Sequence, residues 1–171
     1  MSEVPGLPQH GIGMSERGVK LEHPHALCLL YSDVTSPILR LACTGDLRFF
    51  SALSAPDFVE AFRAPIRDGR VRIVQHAGSP VGFLKFSFLW DSHPFIEALM
   101  ILESERGKGH GSRAVRAWEH EMKAQGFDVV LTSTRADERH QHFWRQLGYV
   151  DCGMLLLPDK PAELFLQRML T

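Results

Sequence analysis

Glycine at every second position of Arg106-Gly107-Lys108-Gly109-His110-Gly111 constrains this chain more than any other feature. Before the loop, Phe95 to Leu102 is apolar apart from Glu97 and reads as a strand. After it, Ala114, Val115, Trp118 and Met122 form one apolar stripe on a helix from Ser112 to Gln125. Gly126 stands where a left-handed C-cap residue is wanted, and Glu119 and Lys123 read as an i,i+4 pair on the opposite side. Asp128 to Thr134 follows as a short apolar strand. Residues 95 to 134 therefore read as a β-loop-α-β crossover, which requires a parallel pair of strands.

Upstream the signal is antiparallel. Val71, Ile73 and Gln75 alternate with Arg72, Val74 and His76, which suits a strand. Ala77-Gly78-Ser79-Pro80 is a turn, Val81 to Leu89 a second strand, and Trp90 to Pro94 the next turn. Ala55-Pro56-Asp57 opens a helix in which Phe58, Ala61 and Phe62 fall at helical spacing, and it should stop near Pro65, before Arg67-Asp68-Gly69. Ala26 to Tyr31 reads as a first strand, with a short helix opening at Ser32 or Asp33. Downstream, Asp137 caps a second helix running to Leu147, ahead of Gly148. Met154 to Leu157 and Ala162 to Met169 read as closing strands joined across Pro158-Asp159-Lys160-Pro161. Residues 1–20, with four glycines and two prolines, read as a mobile leader before a single α+β domain over residues 21–171.

Composition narrows the partners. The 171 residues are 44% hydrophobic and 23% charged, ordinary for one soluble domain. A net charge of −1 gives no electrostatic reason to expect nucleic acid or an anionic membrane. No apolar run approaches a membrane span, and Met1 to Lys20 lacks a secretory pattern. Cys28, Cys43 and Cys152 match neither a disulfide framework nor a zinc site, so reduced thiols in a cytoplasmic protein are expected.

A glycine loop running from strand into helix lets backbone N–H groups converge on one point, with the helix N-terminus adding partial positive charge. Arg106, Lys108 and His110 lie around it, and Ser112 offers a hydroxyl in the first turn. The site suits a phosphate or pyrophosphate. A Walker A loop would need Gly-Lys-Ser/Thr, which is absent. Gly109-His110-Gly111-Ser112-Arg113-Ala114 fits the dinucleotide pattern G-x-G-x-x-A, but that motif needs an acidic residue closing the next strand. Asp128 opens that strand instead, and its end reads Thr132-Ser133-Thr134-Arg135.

Arg106-x-x-Gly109-x-Gly111 between an apolar strand and an amphipathic helix resembles the acetyl-CoA signature of the GNAT N-acetyltransferases. Asp137 through Tyr149, closing on His-Phe-Trp-Arg-Gln-Leu-Gly-Tyr, resembles that family's later helix, and Ala162 to Leu166 its closing strand. The resemblance covers residues 71–170. It implies a mixed, mostly antiparallel sheet of about six or seven strands with a central parallel pair, flanked by about four helices. It also implies acetyl-CoA as acyl donor without a metal, and a small-molecule or peptide amine as acceptor. A homodimer is compatible with it.

By the same resemblance, backbone groups of Leu99, Met100 and Ile101 hold the pantetheine arm, with the Ile101 N–H polarising the thioester carbonyl. The pyrophosphate lies over Arg106, Gly107, Lys108, Gly109, His110, Gly111 and Ser112. Many members have asparagine where this chain has Asp137, which reads here as a cap. An attacking amine must lose a proton, and Glu97, sharing strand parity with Leu99 and Ile101, is the candidate base. Burial is expected to raise its pKa. Many members also have a tyrosine acid where Trp144 stands. An indole cannot donate a proton, so Trp144 is expected to pack against the cofactor, with water or a displaced Tyr149 serving the leaving thiolate. That substitution keeps a second reading open, a catalytically weak acyl-CoA-binding or sensing module.

Nine histidines do not make a metal site. His140 and His142 point to different faces of a helix, and His23 and His25 lack a third ligand.

Overall fold

The structure is a computed structural model describing residues 38–53 and 56–171. The expected leader over residues 1–20, the strand over 26–31 and the helix opening at Ser32 or Asp33 lie outside the described residues. Seven strands form one sheet: β1 (Leu39–Leu41), β2 (Val71–His76), β3 (Ser79–Leu89), β4 (His93–Ile101), β5 (Val129–Arg135), β6 (Val150–Leu155) and β7 (Glu163–Met169). Their order is β1-β2-β3-β4-β5-β7-β6. Four α-helices are described, α1 (Leu47–Ser51), α2 (Pro56–Arg67), α3 (His110–Ala124) and α4 (His140–Gln146). Among the described residues only β4 and β5 pair in parallel, so the expected mixed sheet with its central parallel pair is present.

Each face of the sheet has its own core. Helices α1 and α2 set Phe50, Phe62 and Ile66 against Val71 and Ile73 of β2 and Phe83 of β3. On the opposite face, α3 buries Val115, Trp118 and Met122 completely against Leu84, Phe86, Ile96 and Val130. That is the apolar stripe expected of the helix, and Gly126 ends it with φ of 92°. Helix α4 adds Trp144 and Leu147 to the same core. The β2–β3 turn is built on Ala77 and Gly78, both at positive φ, as a two-residue hairpin requires.

Four local expectations are corrected. Helix α2 runs past Pro65 to Arg67, because Ile66 is buried in the core and holds the last turn. Glu119 does not pair with Lys123. It is buried, and its Oε2 takes Arg116 at 3.1 Å and Arg168 at 3.3 Å. Asp137 does not cap α4, whose N-cap is Arg139, and its carboxylate instead pairs with Arg135 at 2.7 Å. Strand β6 begins at Val150, four residues earlier than expected, and a bulge at Cys152 breaks the alternation that would have marked it.

Candidate functional site

The register between β3 and β4 slips at one residue. Lys85 faces Ala98 while Phe86 faces Ile96, so Glu97 is the extra residue of a β-bulge. On its other edge β4 pairs with β5 at only two positions, Phe95 with Leu131 and Ile96 with Thr132. The Thr132 hydroxyl donates to the Ile96 carbonyl at 3.1 Å, closing the ladder there. Beyond it the strands part, and a cleft of about 230 Å³ opens between them. Ala98 and Leu99 wall it on one side, Thr132 to Thr134 on the other, with Phe143 and Trp144 of α4 behind.

The exposed edge of β4 leads to the glycine loop. Leu102 donates its N–H to the Val81 carbonyl at 2.9 Å on the β3 side, so alternation turns the Ile101 N–H away from β3, to the edge that faces β5. Gly82 lies opposite Ile101, and a Cβ there would overlap the Met100 carbonyl, so this strand position requires glycine. The chain then turns through Glu103–Glu105, and Gly107 and Gly109 take φ of 74° and 78°. Gly109 is the left-handed N-cap of α3, which begins at His110. Arg113 N–H reaches the Gly109 carbonyl, while among the described residues no turn or cap hydrogen bond engages the amides of Gly107 to Ser112. Those amides lie where the sequence leads one to expect an anion cradle.

The loop's side chains are more engaged than its backbone. Arg106 Nε donates to the Ile101 carbonyl at 3.1 Å, tying the loop to the strand end. Lys108 lies 3.0 Å from Glu105. The His110 ring is buried, with Nδ1 2.9 Å from Arg113 and Nε2 3.2 Å from Glu105. An arginine only donates, so Nδ1 accepts and Nε2 carries the hydrogen. The ring is thus committed to Arg113 and Glu105, and at the start of α3 the residue offers the loop its backbone amide. Ser112 is half-buried in the first helical turn.

The bulge also relocates Glu97. Leu99 and Ile101 pack with the core on the α3 side, whereas Ala98 packs on the α2 side. Glu97 joins Ala98's neighbour Lys85, whose Nζ is 2.8 Å from its carboxylate, so the parity expected with Leu99 and Ile101 fails. Its expected pKa direction fails as well. Partial burial opposes the charge, but hydrogen bonds from Lys85 and Ser87 and the positive charges of Lys85 and Arg70 outweigh it, holding the carboxyl below its usual range. The carboxylate still borders the cleft.

A model of the acetyltransferase (GNAT) family matches residues 43–149. The chain belongs to the GNAT family. A GNAT-family acetyltransferase of Bacillus cereus is similar in fold, with 18% identity and a TM-score of 0.64, covering 77% of this chain and 95% of that one. Ard1 of Thermoplasma volcanium has 20% identity and a TM-score of 0.63, with the same coverage. An aminoglycoside 6'-N-acetyltransferase solved with coenzyme A has 12% identity and a TM-score of 0.64, covering 78% and 97%. No curated protein sequence matches the chain. GNAT enzymes use acetyl-CoA without a metal. Among the described residues no three His, Cys, Asp or Glu side chains are grouped to hold a metal. No described helix is long and apolar enough to cross a membrane.

Two aromatic residues of the GNAT helix α4 region part company. Trp144 is 6% exposed, meets Phe143 and Tyr149 edge to face, and contributes to the cleft wall. Tyr149 is buried behind it and lines no part of the cleft. Burial first, then the adjacent Glu119 carboxylate, push its phenol well above the usual range. Of the two expectations for the leaving thiolate, water or a displaced Tyr149, the second finds its side chain buried outside the cleft.

Sequence reasoning missed Thr132, Thr134, Glu138 and His140 in the cleft. The signal for the threonines was their shared parity on β5, and for His140 its position four residues before Trp144.

Proposed function

We propose that this GNAT protein binds acetyl-CoA between β4 and β5 and transfers the acetyl group to a primary amine of a small-molecule or peptide acceptor. The observation that carries the reading is the split parallel pair, whose slot runs from the Glu97 bulge to the free amides at the start of α3. Such a slot fits a long, thin ligand with a reactive thioester at one end and a pyrophosphate at the other.

In this reading the amides from Gly107 to Ser112 bind the pyrophosphate, assisted by the exposed charges of Arg106 and Lys108. The cleft edge of β4 over Leu99, Met100 and Ile101 orients the pantetheine arm, and the Ile101 N–H stabilises charge on the thioester oxygen. Trp144 and Phe143 exclude water from the far wall. Glu97, kept ionised by Lys85, attracts the acceptor's ammonium and takes its proton, directly or through one water.

The test has two arms. Acetyl-CoA should raise the melting temperature while NADH leaves it unchanged, since only binding to the folded state stabilises. A panel of polyamines, aminoglycosides, amino acids and peptides should include acceptors that release CoA thiol above background hydrolysis. Stabilisation without thiol release would instead establish the binding-module reading, which the indole at position 144 favours.

A further inference from the structure

The geometry points to His140 as the acid that protonates the departing thiolate, with Glu138 holding its ring. This rests on the acetyl-transfer reading above.

Three titratable side chains line the cleft, Glu97, Glu138 and His140. Glu97 is held ionised by Lys85 and carries no proton to give. Histidine is the side chain that both holds and releases a proton near neutrality. His140 Nδ1 lies 2.9 Å from Glu138 Oε2. A carboxylate only accepts, so Nδ1 donates, and the free position is Nε2, which has no hydrogen bond among the described residues. This is the arrangement of an oriented acid-base histidine. His140 stands one turn before Trp144 on α4, and both line the cleft. The charged groups around it are Glu138, Arg135 (3.7 Å from Glu138) at the end of β5, and Glu97 across the cleft on β4. The ring is 77% exposed, so bulk water can recharge it between turnovers.

The step balances. The amine nitrogen bonds to the acetyl carbon and its proton passes to Glu97 or water. The C–S bond breaks with its electron pair on sulfur, and the imidazolium gives its Nε2 proton to that sulfur. Neutral imidazole then regains a proton from solvent.

The test compares donors of different leaving-group acidity. With acetyl-CoA, His140→Ala should lower kcat by roughly a hundredfold, the usual scale of general acid catalysis. With an acetyl thioester of an acidic aromatic thiol, which departs without a proton, the same variant should match the parent. A second readout needs no turnover. At mildly acidic pH, where an imidazolium can donate from Nε2 to the CoA sulfur, the parent should bind CoA more tightly than desulfo-CoA, and His140→Ala should bind both equally. Glu138→Gln should weaken the CoA preference while leaving desulfo-CoA binding intact. An unchanged kcat with acetyl-CoA, an equal loss with both donors, or an undiminished CoA preference in His140→Ala would overturn the assignment. A parent protein that binds acetyl-CoA yet transfers to no amine would remove the acetyl-transfer reading and this one together.

Discussion

Lys85 reaches Glu97 across the β4 bulge, its Nζ 2.8 Å from Oε2, and the pair keeps that carboxylate charged to lower pH than a free glutamate. Because the folded pKa is depressed, a base at Glu97 should give the rate profile an inflection below the ordinary value of 4.5, with activity falling as pH drops through it. Lys85→Met removes both a hydrogen bond and a charge, so the acidic limb should move to higher pH. Glu97→Gln should lower kcat about tenfold or more, with acetyl-CoA affinity retained. Rates against pH for the three proteins check this; an acidic limb that stays put in Lys85→Met removes Glu97 as the base.

Gly82 lets β3 approach the strand that carries Met100 and Ile101. Gly82→Ala must displace the Met100 carbonyl, a backbone atom with little freedom to yield. The expected cost is about 1–3 kcal/mol in urea unfolding, the scale of overpacking. Calorimetry should show weaker acetyl-CoA binding as well. Full affinity in a destabilised variant would separate the strand from the cofactor.

At Gly109 the neighbourhood is open, with nothing within 4 Å of an added Cβ, so the cost of substitution is conformational. Gly109→Ala at φ of 78° should lose about 1 kcal/mol, and Gly109→Asn less, because asparagine tolerates the left-handed region. Both variants should bind CoA poorly yet bind pantetheine, which lacks the pyrophosphate, as the parent does. Equal losses for the two ligands would place the pyrophosphate elsewhere.

Tyr149 gives the opposite expectation. Its hydroxyl is buried next to Glu119, outside the cleft, and its proton is held too tightly to leave. Tyr149→Phe should leave the transfer rate and its pH dependence unchanged. A lost basic limb would restore the tyrosine to the mechanism.

Thr132 satisfies the Ile96 carbonyl at the last rung between β4 and β5. Thr132→Val removes that hydroxyl donor, at about 1 kcal/mol. Hydrogen exchange should quicken first at Phe95 to Leu99 and at Leu131 to Thr134; a uniform change across the sheet would argue against a local role.

Local periodicity made much of this legible. The glycine loop, the stripe from Ala114 to Met122 and the strand after it follow rules that act over a few residues, and all three stand in the structure. What escaped depends on partners distant in sequence or on a single inserted residue. One extra residue at Glu97 flipped the phase of β4, and another at Cys152 hid the start of β6. Glu119 looked like a surface residue because Arg168, which holds it in the interior, comes from β7. The spacing of His140 and His142 excludes a metal pair but says nothing of the cleft that His140 shares with Trp144 one turn along.

The two-rung junction between β4 and β5 has a mechanical consequence. Within the sheet's own hydrogen bonding, the two halves meet at one short seam, the Phe95–Leu131 and Ile96–Thr132 pairs, beyond which the strands part. A ligand lying in that gap would stand in for the missing rungs and splint the halves together. How firmly the molecule grips a donor and how stiff it is would then be one quantity, set by the seam and not by a closing lid.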